Sequence, residues 1–123
     1  MTKLSFAFGI AFFVLVAAIL LAAYAESPAL TIQGTIIDNM CAGHAGKDLE
    51  GFIKTHTKEC ALMPACVASG YSIFSDGKLY KLDALSNTKV EAFLRQDGNM
   101  LEVTVVGRKN GELLEVISIE NRK

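Results

Sequence analysis

All three cysteines and both histidines of the chain lie between Asp38 and Tyr71, in "DNMCAGHAGKDLEGFIKTHTKECALMPACVASGY". Thiolate and imidazole are the groups that zinc takes tetrahedrally. The spacings Cys41-x2-His44 and His56-x3-Cys60 make two short-range ligand pairs on separate pieces of chain, and Cys66 adds a third sulfur. The metal site expected from this stretch is drawn from Cys41, His44, His56, Cys60 and Cys66. Met40 and Met63 lie next to or near the cysteines. Thioether together with thiolate suits a soft ion, so zinc and copper(I) are the two ions expected. The stretch lacks the paired C-x2-C strings of a zinc ribbon.

The same residues allow other chemistry. A disulfide from Cys41 to Cys60 or Cys66 would close a loop of about 20 residues and contribute ~3 kcal/mol by restricting the unfolded chain. His56 is then a residue at the core edge, His44 a solvated loop residue, and one thiol is left spare. A third reading is redox or nucleophilic chemistry, in which an imidazolium or a helix N-terminus stabilises a thiolate at Cys60. No C-x-x-C string supports it, and the C-x-x-C-H of covalent haem is absent. Metal and staple exclude each other at any one cysteine, because a sulfur in a disulfide is not a thiolate ligand.

Little else in the chain rises above structure. Asp38, Asp76, Asp83 and Asp97 fall at strand ends or turns, where Asp is favoured for local hydrogen bonding. Tyr71, Phe74 and Tyr80 could stack nucleobases, but with only Lys78 and Lys81 beside them core and hairpin packing is the expected role. The chain has no phosphate loop or dinucleotide fingerprint.

The elements that must position the cluster begin after an export signal. Lys3 precedes an apolar run from Leu4 to Ala23, and "AYAES" offers the A-x-A spacing of a cleavage site at Ala23 and Ala25. Residues 1–25 are read as a signal peptide or, uncleaved, a membrane anchor through residues 4–24. Residues 26–29 form a short tether, and 30–123 one domain facing the periplasm. Without residues 1–25 the balance is 11 Lys+Arg, one fewer than the chain's 12, against 13 Asp+Glu, a net −2 with no basic run. That charge excludes a phosphate-neutralising face, and with it nucleic acid as a partner.

Within that domain "LTIQGTIID" alternates as a half-buried strand. "YSIFSDGKLYKLD" and "NMLEVTVVGRKNGELLEVISIE" read as hairpins turning at Asp76-Gly77 and Asn110-Gly111. Between them Thr88 and Glu91 have capping-box spacing, followed by an apolar stripe of Val90, Phe93 and Leu94. The insertion 38–70 is expected to be helical, with Leu49, Phe52, Ile53 and His56 on one helix face, Thr57 capping a second helix, and a kink at Pro64. The fold class is mainly β with a helical insertion (α+β). The order strand, insert, hairpin, helix, hairpin predicts a five-stranded OB-like barrel.

The strings "DNMCAGH", "HTKECALMPACVASGY" and "DGKLYKLD" together resemble a group of small exported bacterial proteins of uncharacterised function. The resemblance spans most of residues 32–120. It implies an exported β-barrel-like domain with three cysteines and no enzyme assignment.

Overall fold

The computed structural model describes residues 26–123, with Phe13 the one residue described ahead of them. The signal or anchor segment expected over 1–25 lies outside the described residues. Among those described, no helix is long and apolar enough to cross a membrane.

The fold is α+β. Strand β1 (Leu30–Asp38) leads into four short helices, α1 (Asn39–Ala45), α2 (Leu49–Ile53), α3 (Lys58–Ala61) and α4 (Pro64–Ser69). A hairpin of β2 (Tyr71–Ser75) and β3 (Lys78–Lys81) follows, then helix α5 (Ala84–Leu94) and a second hairpin of β4 (Glu102–Asn110) and β5 (Leu113–Asn121). The five strands form one antiparallel sheet in the order β3-β2-β1-β4-β5. Strand β1 is central because it is shared: Thr35 to Asp38 pair with β2, and Leu30 to Thr35 with β4.

Alternation in β1 places Ile32, Gly34 and Ile36 in the interior, as the sequence predicts. Gly34 is required by close approach: a Cβ there would meet the Phe74 carbonyl oxygen and lie 2.8 Å from Ile73 Cγ2. The core gathers Ile32, Ile36, Tyr71 and Ile73 with Val103, Val105, Leu114 and Val116, and α5 covers it with Val90, Phe93 and Leu94.

The sheet is not closed into a barrel, which corrects the expected architecture. Its two edges, β3 and β5, meet at one isolated parallel bridge, Leu82 with Leu114. The reason is local. Strand β3 has only four residues, and Asp83 directly behind it caps α5 by accepting the Ser86 amide at 2.8 Å. The start of α5 then takes the outer edge of β5. Ser86 Oγ accepts the Val116 amide at 2.7 Å, Lys89 Nζ donates to the Val116 carbonyl at 2.7 Å, and the Asp83 amide donates to the Leu114 carbonyl at 3.2 Å. A helix covers the edge that a barrel would have paired.

Two boundaries also move. The cap of α5 is Asp83, five residues before the expected Thr88, because its carboxylate captures the first turn. The second hairpin turns on Gly111 and Glu112, since Asn110 still pairs with Leu113. The first turns at Asp76-Gly77 as expected, with both residues at positive φ.

Candidate metal centre

The insertion is built from short caps. Asp38, the last residue of β1, is extended, and its carboxylate accepts the Cys41 amide at 2.8 Å, starting α1. Helix α2 starts from Asp48, whose side chain accepts the Gly51 amide at 3.3 Å. It ends before His56, so the expected helix face through His56 is cut short after Ile53. Thr57 Oγ1 accepts the Cys60 amide at 3.2 Å and starts α3, the capping role expected of it. Pro64 opens α4, which ends at Gly70 in a positive-φ conformation.

Helices α1 and α4 are tied together at one end. Asn39 Nδ2 donates to the Ser69 carbonyl at 2.9 Å, the Asn39 amide to the Gly70 carbonyl at 2.9 Å, and the Met40 amide to Ser69 Oγ at 3.1 Å. Tyr71 is fully buried and donates its hydroxyl to the Ala61 carbonyl at 2.8 Å, holding α3 against the sheet. These bonds bring the end of β1, the first turn of α1 and the first turn of α4 to one place.

What meets there is Asp38, Cys41 and Cys66. One ligand atom from each lies within 4.8 Å of the other two. Asp38 is completely buried, Cys66 is buried and Cys41 half-buried. Both thiols thus lie close to the Asp38 carboxylate and to each other. The arrangement could hold a metal ion with two sulfurs and one oxygen.

The electrostatics follow from burial. Desolvation alone would raise the Asp38 carboxyl, but the Cys41 amide, the Cys41 thiol, His56 and the Cys66 thiol all stabilise the carboxylate and together hold it below its ordinary value. The thiols move the other way. Burial first, then the hydrogen bond to Asp38 and its charge, push Cys41 up to about 12. Cys66 is raised by burial and by the same negative charge. Burial and the neighbouring carboxylate therefore favour the protonated form of both sulfurs.

The remaining expected ligands sit differently. His56 is buried beside the cluster, and its Nε2 lies 2.9 Å from Asp38 Oδ2. Because that carboxylate is ionised and accepts, the imidazole donates from Nε2. Its Nδ1 is buried without a hydrogen-bond partner, and its ring packs 5.7 Å from that of Phe52. Cys60 is exposed on α3 and outside the three-residue group. His44 is exposed on α1 and outside the three-residue group. All three cysteines are free thiols.

Sequence reasoning gave Asp38 only a local hydrogen-bonding role. It has that role and also stands at the centre of the cluster. The available signal was the i, i+3 step from Asp38 to Cys41, which puts an N-cap carboxylate beside the side chain at the third helical position.

No known family model matches the chain, and no curated protein or solved structure is significantly similar to it.

Proposed function

We propose that this is an exported, non-enzymatic binding domain whose insertion holds one zinc ion through Cys41 Sγ, Cys66 Sγ and an Asp38 carboxylate oxygen. The convergence of those three donors within 4.8 Å of one another carries the reading. A carboxylate oxygen among the ligands favours zinc over copper(I), which prefers sulfur alone. His56 acts on the ion through Asp38, orienting the carboxylate as outer-shell partners of metal ligands do. Three protein donors leave a fourth tetrahedral position for water or a ligand from elsewhere. Binding replaces the thiol protons, so zinc uptake releases protons and weakens as pH falls.

The apolar amino-terminal run and its A-x-A site support export, and the likeness to small exported proteins points the same way. The strand order, with a helix between the hairpins, supports OB-like connectivity in an open sheet.

The deciding experiment is metal content and chelator competition on the reduced full chain. One zinc per chain is expected, lost in Cys41→Ser and in Cys66→Ser and kept in His44→Ala. Binding that survives both cysteine substitutions would remove this centre. Copper(I) binding that persists in Asp38→Asn would reassign the ion.

A further inference from the structure

We propose that Ser69 is the positioning residue of the candidate centre: its hydroxyl locks the turn carrying Cys41 to the turn carrying Cys66 and so sets the separation of the two sulfurs. Its effect on zinc rests on the proposed centre, while the hydroxyl bridge belongs to the metal-free protein.

The bridge follows from how two short helices satisfy their ends. A helix leaves its first amides and its last carbonyls without partners inside it. In α1 the first-turn amides are those of Asn39, Met40 and Cys41. Asp38 takes only the Cys41 amide, at 2.8 Å. The other two are taken by the end of α4: the Gly70 carbonyl accepts from Asn39 at 2.9 Å, and Ser69 Oγ accepts from Met40 at 3.1 Å. In α4 the Cys66 carbonyl is one of those left over, and Ser69 Oγ donates to it at 2.7 Å. A serine hydroxyl has one proton to give and lone pairs to accept with, and both capacities are used here. One hydroxyl thus closes an orphan group on each helix, on the peptide beside Cys41 and on that of Cys66 itself.

No other bond between the two helices does this. Asn39 Nδ2 donates to the Ser69 carbonyl at 2.9 Å, and the Asn39 amide bonds to Gly70, so both land past Cys66 at the end of α4. They hold the helices side by side, and only the hydroxyl reaches back to the residue that bears the sulfur. Cys41 and Cys66 sit near opposite ends of the insertion, and both are free thiols, so no covalent link fixes their separation. Without the hydroxyl, the Met40 amide and the Cys66 carbonyl lose their partners together, and the two turns can slide past each other. A centre of three protein donors has no fourth to make up for a sulfur that has moved.

The test titrates cobalt(II) into the reduced full chain, reads sulfur-to-cobalt charge-transfer absorption, and then displaces the cobalt with zinc. Ser69→Ala is expected to bind cobalt roughly 10–100-fold more weakly, as loss of a residue that orients a metal ligand does. Ser69→Thr keeps the hydroxyl and should bind as the wild type does. Ser72→Ala removes a different bond of the same region, Ser72 Oγ to Asn39 Oδ1 at 2.6 Å, and leaves the bridge in place. It should keep wild-type affinity even where it lowers the melting temperature. Wild-type affinity and spectrum in Ser69→Ala, no rescue by Ser69→Thr, or an equal loss in Ser72→Ala would overturn the role of Ser69. A wild type that takes up neither cobalt nor zinc would remove the metal centre, and the bridge is then decided on the metal-free protein by amide exchange at Met40. Exchange there should be faster in Ser69→Ala than in the wild type and Ser69→Thr, and equal rates in all three would overturn the bridge.

Discussion

Asp38 and His56 form a buried pair, Oδ2 to Nε2 at 2.9 Å, with side chains 0% and 1% exposed respectively. The pair ties the end of the central strand to the chain between two insertion helices, while the other carboxylate oxygen starts α1. One side chain thus anchors both halves of the insertion. Asp38→Ala is expected to destabilise the domain by about 3 kcal/mol, from the stranded imidazole and the lost cap together. Asp38→Asn keeps an oxygen for the Cys41 amide and should cost less. Urea unfolding of the metal-free variants decides this, and equal losses would mean that the cap oxygen contributes nothing.

The same carboxylate gives the acid limb of stability a direction. Asp38 titrates below its ordinary value of 3.8 in the folded protein. A depressed carboxyl contributes fully above the unfolded value and loses its contribution as pH falls through the folded one. The stability gap between wild type and Asp38→Asn should therefore be constant near neutrality and narrow below about pH 4. A gap that stays constant through the acid range would show that the Asp38 charge is not what stabilises the fold.

Thiol reactivity should divide the cysteines. Cys41, pushed up to about 12, and Cys66, also raised, present almost no thiolate near neutral pH, and Cys66 is buried as well. Iodoacetamide at neutral pH should label Cys60 first and the other two only after unfolding. Asp38→Asn, which removes the negative charge facing both sulfurs, should speed labelling of Cys41. Rapid labelling of Cys41 in the wild type would contradict a thiol held high by burial and by Asp38.

Strands β1 and β4 were legible from their period-2 patterns and the hairpins from their turn dipeptides, although the second turn lies one residue later than Asn110-Gly111 marks it. Barrel closure was not legible. It depends on which group reaches the backbone of Leu114 and Val116, and Asp83, Ser86 and Lys89 arrive there by tertiary packing. In the site, soft-ligand chemistry pointed to Cys41 and Cys66 but gave equal weight to His44 and Cys60, which the short helices leave exposed. Side-chain direction in a four-residue helix follows from its caps and neighbours rather than from ligand spacing. Asp38 was hidden by its ordinariness, since an N-cap carboxylate needs no further reason to be there.

The crossing at Gly34 makes a separate claim about the scaffold. A methyl there would press on the Phe74 backbone, which cannot yield as a side-chain end can, and on Ile73 Cγ2. Gly34→Ala should cost about 2 kcal/mol by overpacking. Gly43, with nothing within 4 Å of its would-be Cβ, is the control. Gly43→Ala lies inside α1 and should be neutral or stabilising by about 0.5 kcal/mol. If thermal melts give the two variants the same shift, the close approach of β1 to β2 is wrong.

His56 separates an orienting partner from a ligand. Its Nε2 is committed to Asp38, and its ring atoms lie outside the cluster formed by Asp38 and the two thiols. His56→Ala should therefore leave one zinc per chain but weaken it by roughly 10–100-fold, as loss of an outer-shell partner does. Cys66→Ser, which removes a donor, should abolish stoichiometric binding. Chelator competition on both variants, with circular dichroism to confirm that each is folded, draws the distinction. Complete loss of zinc in a folded His56→Ala would promote the imidazole to a ligand. Unchanged affinity would mean that the Asp38 carboxylate keeps its aim without it.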